Sequence, residues 1–128
     1  NISQKITIQG EVQESLREYL SIEKINNSLI LIDIEGSEFN LLSKQFLHET
    51  RNSHVIIELH DHFFTEGKKK LNRLILDSKI YFNIKIIETG SRDTSSFIEL
   101  NNFTDTDRWL LCSEGRSAKG HWLVLTPK

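Results

Sequence analysis

Leu29-Ile30-Leu31-Ile32-Asp33-Ile34-Glu35-Gly36-Ser37-Glu38 is the stretch that decides the fold. Its apolar run lacks polar alternation, which suits a parallel strand covered on both faces. An acidic, glycine-containing turn follows at once. Ser37 then stands as a cap before Phe39, Leu42 and Phe46, spaced as on one helix face. A strand that delivers carboxylates to its C-terminal tip places them where open α/β sheets bind their ligands. The run Val55-Ile56-Ile57-Glu58-Leu59-His60-Asp61 ends in the same way, with a histidine added. Two neighbouring strand tips would then converge on one polar crevice.

Outward from this pair, Lys5-Ile6-Thr7-Ile8-Gln9 alternates as a short strand, and Val12, Leu16, Tyr19 and Leu20 recur at helical spacing. After the second tip, Leu71, Leu74 and Ile75 mark a helix, and Phe82, Ile84 and Ile86 alternate as a strand with one wetter face. Thr104 with Asp107 resembles a capping box for a short helix holding Trp109 and Leu110. His121-Trp122-Leu123-Val124-Leu125 closes the chain as a strand before Pro127. Strand and helix in alternation predict a single α/β domain over residues 1–128, with helices packed on the sheet and right-handed crossovers.

A chain of 128 residues buries roughly two-thirds of its unfolded surface as one domain. Its formal charge of −2 argues against nucleic-acid binding, which calls for a positive excess. Lys68-Lys69-Lys70 is the one local basic run and reads as a solvated helix face. The lone Cys112 cannot form an internal disulfide, and as an inert buried thiol it suits a reducing, cytoplasmic compartment. No stretch approaches the roughly 20 apolar residues of a membrane span, and no signal peptide opens the chain. The sequence contains no methionine and begins at Asn1, which suggests a piece of a longer protein.

Asp33-Ile34-Glu35-Gly36-Ser37-Glu38 followed by Glu58-Leu59-His60 resembles the FkbM-like family of S-adenosylmethionine-dependent methyltransferases. There a strand ends in Asp-x-Glu-Gly-x-Glu, a helix follows, and the next strand ends in Glu-x-His. The resemblance implies a partial Rossmann-like sheet, mainly parallel with an antiparallel C-terminal strand, in which these runs are the fourth and fifth strands. It places this chain in the C-terminal part of a catalytic domain. None of the six glycines falls in the G-x-G turn that cradles the cofactor in that family, so that turn should lie upstream. The implied activity is O-methylation of a small hydroxylated or sugar-type acceptor.

Under this resemblance Asp33 and Glu35 meet the cofactor. Asp33, Glu58 and His60 form the catalytic group, with His60 as general base because its ordinary pKa lies near working pH. Glu38, Asp61 and His62 face the substrate, joined by Arg116 from the basic loop 105–119. Asp33, Glu58 and His60 also make a ligand set for magnesium or another divalent ion, and the sequence leaves His60 open between base and ligand.

Two rival readings use the same residues. A divalent-metal nuclease would employ Asp33, Glu58 and His60, but it wants adjacent hairpin strands where 38–47 reads as a helix. A non-catalytic interaction module would act through protein contacts. The edge of the 29–34 strand would in either case offer unpaired backbone to a second copy, giving a homodimer.

Overall fold

The computed structural model describes residues 10–13, 15–90, 92–113 and 119–128. Among the described residues four strands form one mixed sheet: β1 (Leu29–Ile32), β2 (His54–Leu59), β3 (Phe82–Glu88) and β4 (His121–Pro127), in the order β1-β2-β4-β3. β1 and β2 pair in parallel, with Leu29 opposite His54 and Ile32 opposite Ile57. β4 lies antiparallel between β2 and β3. Three strands share a direction, but with β4 between β2 and β3 only one of the three ladders is parallel, so the sheet is mixed where a mainly parallel one was expected.

Among the described residues five α-helices accompany the sheet: α1 (Ile22–Ile25), α2 (Glu38–Leu41), α3 (Lys44–Glu49), α4 (Gly67–Ser78) and α5 (Asp105–Cys112). One sheet face carries the core. Ile32, Val55, Ile57, Leu59, Leu123, Leu125 and Phe82 are buried there against Leu42, Phe46 and Leu47 of the α2–α3 segment and Leu74 of α4. The register puts Ile56 opposite Val124 and Glu58 opposite Trp122 on the other face. That face is more open, with Ile56, Trp122 and Val124 half-buried and Lys85 and Ile87 exposed.

This one-sided packing overturns the expectation that the first strand is covered twice. Leu29 and Leu31 are 69% and 66% exposed, because the helices lie on the face of Ile30 and Ile32 and β1 is the sheet edge among the described residues. The strand also stops at Ile32 rather than running to Ile34. The helix expected from Ser37 through Phe46 is broken in two. Leu42 leaves helical geometry at ψ 53°, and the Ser43 hydroxyl accepts from the Phe46 N–H at 3.2 Å, restarting the chain as α3. The break lets both Leu42 and Phe46 reach the core.

Ahead of β1, the described residues form one 3₁₀ turn at Leu16–Glu18 and α1. Ser15 stops the pattern from continuing backwards: its hydroxyl accepts from Arg17 N–H at 3.1 Å and donates to buried Glu49. Ser53 donates to the carbonyl of Ile25, fixing the approach of α1 to the start of β2. The strand expected over residues 5–9 lies outside the described residues. The cap before α5 forms, Thr104 accepting from the Asp107 N–H at 3.2 Å, but the Asp107 carboxylate accepts from the Thr104 hydroxyl at 2.7 Å instead of from the backbone N–H that completes a capping box. Yet α5 buries nothing: Trp109, Leu110 and Leu111 are exposed, and Cys112 is half-buried instead of buried.

Candidate functional site

The two acidic tips meet at the C-terminal ends of β1 and β2. The backbone first makes this possible at Glu35 and Gly36, which take φ values of 50° and 97°. Such a left-handed pair reverses the chain immediately after the strand and turns Glu35 outward. Glycine suits the second position because of its φ, and a Cβ there would be only a tight fit, 3.3 Å from the Phe63 ring.

Glu38 then locks the tips together. Fully buried, its carboxylate accepts from the Gly36 N–H at 2.8 Å and from the His60 N–H at 2.7 Å. One side chain thus satisfies a backbone donor from each tip and fixes their separation. Glu38 has no face left for a substrate, so the substrate contact expected of it gives way to this tie. The burial of a carboxylate at a sequence-predicted helix start was not legible in the spacing.

His60 follows β2 and is 96% buried at its side chain, flanked by two acids. Its Nε2 lies 3.4 Å from Glu35 Oε2, and its Nδ1 lies 3.5 Å from Glu38 Oε1. The ring packs at a tilt against aromatic neighbours, Phe63 at 5.2 Å and His62 at 6.1 Å between centroids. His62 itself is exposed on the 3₁₀ turn Asp61–Phe63.

Asp33 stands at the exposed mouth of this cluster. Lost hydration raises its pKa above the usual aspartate value, and the negative charge of Glu58, a hydrogen bond with the Glu58 carboxyl and the charge of Glu35 push the same way. His60 opposes the shift. Glu58 is buried on the opposite sheet face from the helices, paired in register with Trp122. The donor atoms that gather into a possible cation-binding group are those of Asp33, Glu35 and His60, all within 4.8 Å of one another. Glu35 therefore takes the place expected of Glu58, whose contact is with Asp33. The end of β2 decides this, since Glu58 belongs to the ladder while His60 lies one residue past its end, where strand alternation no longer applies.

His121 is the site residue that sequence reasoning did not find. Its Nε2 lies 2.7 Å from Asp61 Oδ1, joining the first residue of β4 to the turn after β2. The only signal is register: β4 runs antiparallel to β2, with His121 opposite Leu59, so its start must reach the β2 tip. Asp61 keeps only 12% of its side chain exposed and is committed to that histidine. Beside it, Asp61, His62, Thr65, Lys68 and Lys69 line an open hollow at the start of α4. Lys68 and Lys69 are exposed as a solvated face, while Lys70 folds back over the Phe64 ring at 4.2 Å. Arg116 lies outside the described residues.

Chemically, the arrangement offers a buried imidazole between carboxylates, an Asp33 carboxyl whose pKa is raised, and an open mouth at Asp33 and Glu35. No helix among the described residues is long and apolar enough to cross a membrane. Comparison of the chain with protein families, with characterised proteins and with solved structures finds no match.

Proposed function

We propose that this chain serves an S-adenosylmethionine-dependent O-methyltransferase of the FkbM-like type, acting on a small hydroxylated or sugar-type acceptor in the cytoplasm. One observation carries the reading. The two separated parts of the motif, Asp33 to Glu38 and Glu58 to His60, are joined by Glu38 into a single cluster at the C-terminal ends of adjacent parallel strands. Ligands of open α/β sheets bind at such ends. An antiparallel C-terminal strand, which the resemblance implies, agrees with the direction of β4.

The donor, when bound, supplies an electrophilic methyl on a sulfonium. Asp33 and Glu35, exposed at the mouth, suit it because carboxylates attract the positive sulfur and accept from hydroxyl groups. The acceptor oxygen must lose its proton as it takes the methyl. His60 Nε2, facing the mouth beside Glu35, or the Asp33 carboxyl with its raised pKa, receives that proton. Burial of His60 and its packing on Phe63 hold the base still, which is what orientation of the acceptor demands.

The parallel pairing of β1 and β2, with α2 and α3 between them, disfavours the nuclease reading, which needs a hairpin. A second reading, a non-catalytic module, draws on the exposed apolar residues Leu29, Leu31, Trp109, Leu110 and Leu111. Calorimetric titration with S-adenosylhomocysteine, followed by methyl-transfer assays on a panel of sugars and small alcohols, separates the two. Saturable binding with transfer lost in the His60→Gln variant supports the enzyme. Folded protein that neither binds the nucleoside nor transfers methyl refutes it and leaves the interaction module.

A further inference from the structure

The cluster has the layout of a carboxylate–histidine–metal relay. A metal-ligating histidine nearly always presents its second ring nitrogen to a carboxylate, which fixes the tautomer and leaves the first nitrogen's lone pair free for the ion. Here buried Glu38 stands on the Nδ1 side of His60, and the Asp33–Glu35 pair stands on the Nε2 side. Nδ1 is buried and makes no hydrogen bond at this separation. The other ring nitrogen, Nε2, points toward the exposed Glu35 carboxylate, so an ion held there would bridge the buried ring and the mouth. Glu38 is itself immobilised by the Gly36 and His60 amides, so the relay rests on backbone.

We infer that Asp33, Glu35 and His60 bind one divalent transition-metal cation of the Mn²⁺ or Zn²⁺ class, with Glu38 holding His60 in the ligating orientation. Donor atoms around such an ion, with bonds of about 2.1 Å, stand roughly 3 to 4 Å apart. The three donors here already lie within 4.8 Å, and Glu35, 76% exposed at its side chain, is free to adjust. Two carboxylates neutralise the ion, while the imidazole favours Mn²⁺ or Zn²⁺ over Mg²⁺ and Ca²⁺, which prefer oxygen alone. Water fills the open side, where Asp33 meets solvent.

This inference deepens the proposed function of the same site: a cation there would lower the pKa of a bound acceptor hydroxyl. His60 is then a ligand of the ion instead of the base.

The test needs neither donor nor acceptor. Metal-free protein is titrated with Mn²⁺ and followed by calorimetry and pulsed electron paramagnetic resonance. The expected result is saturable binding of one ion per chain with nitrogen modulation from a directly bound imidazole. Glu35→Gln, at an exposed position that leaves the fold intact, weakens binding by at least about tenfold. His60→Gln removes the nitrogen modulation. His54→Gln, at the far end of β2, keeps both signals. No saturable binding, binding unchanged in Glu35→Gln, absence of nitrogen modulation in the parent, or loss of it in His54→Gln each overturns the inference. Methyl transfer without Mn²⁺ binding would overturn the metal site alone, and Mn²⁺ binding without methyl transfer would overturn the proposed reaction alone.

Discussion

Replacing Glu38 by alanine should cost more stability than any other single change at a charged position in this fold. Its carboxylate accepts two backbone hydrogen bonds, at 2.8 Å from Gly36 and 2.7 Å from His60, with no exposed surface. A hydrogen bond to a charged group contributes about 1.5–3 kcal/mol, and removing the acceptor leaves each amide buried without a partner. Two such losses amount to about 4 kcal/mol, a large part of the 5–15 kcal/mol by which domains are usually stable. At roughly 4 °C per kcal/mol for a chain of this size, Tm should fall by about 15 °C. Glu38→Gln keeps one acceptor and turns its amide donor toward a second donor, so about half the loss is expected. Glu35→Gln, three residues away but exposed, should stay within about 0.5 kcal/mol of the parent. Urea unfolding of the three variants, checked for a common m value, measures this directly. A loss below about 1 kcal/mol in Glu38→Ala would refute the idea that this side chain ties the strand tips together.

Other outcomes follow from particular atoms. Gly67→Ala places a Cβ 1.8 Å from the Asp61 carbonyl oxygen, so the start of α4 must move; thermal unfolding should show a loss of about 3 kcal/mol. Asp33 and Asp93 should titrate on opposite sides of their common reference value of 3.8, which carboxyl-carbon NMR under chelator can resolve. For Asp33, raised, the stabilising contribution is present below that value and is lost as pH rises through its folded midpoint, so Asp33→Asn should gain on the parent toward neutral pH. For Asp93, lowered by Ser95 and Ser96, the contribution is present above the reference value and is lost as pH falls through the folded midpoint. If the unpaired edge of β1 recruits a second copy, sedimentation should show a concentration-dependent dimer that Leu29→Lys with Leu31→Lys abolishes; a monomer at every concentration would remove that proposal.

The sequence by itself determined a strand starting at Leu29, though not its end at Ile32, and its neighbour ending at Leu59, because unbroken β-branched and leucine runs have few other uses in a small domain. It determined the cap at Thr104 and the position of the last strand for equally local reasons. That Asp33, Glu35 and His60 would share a crevice was legible too, since parallel neighbours end side by side. Tertiary structure decided the rest, and in each case the cause is a contact between residues far apart in the chain. β4 enters between β2 and β3, and this alone brings His121 to Asp61. The helices gather on one face, so the same alternation that buries Ile32 leaves Leu31 in solvent. Glu38 is drawn inside because two amides from separate strand ends need one acceptor. Periodicity records which residues are apolar, but it carries no information on which distant donor a carboxylate will meet.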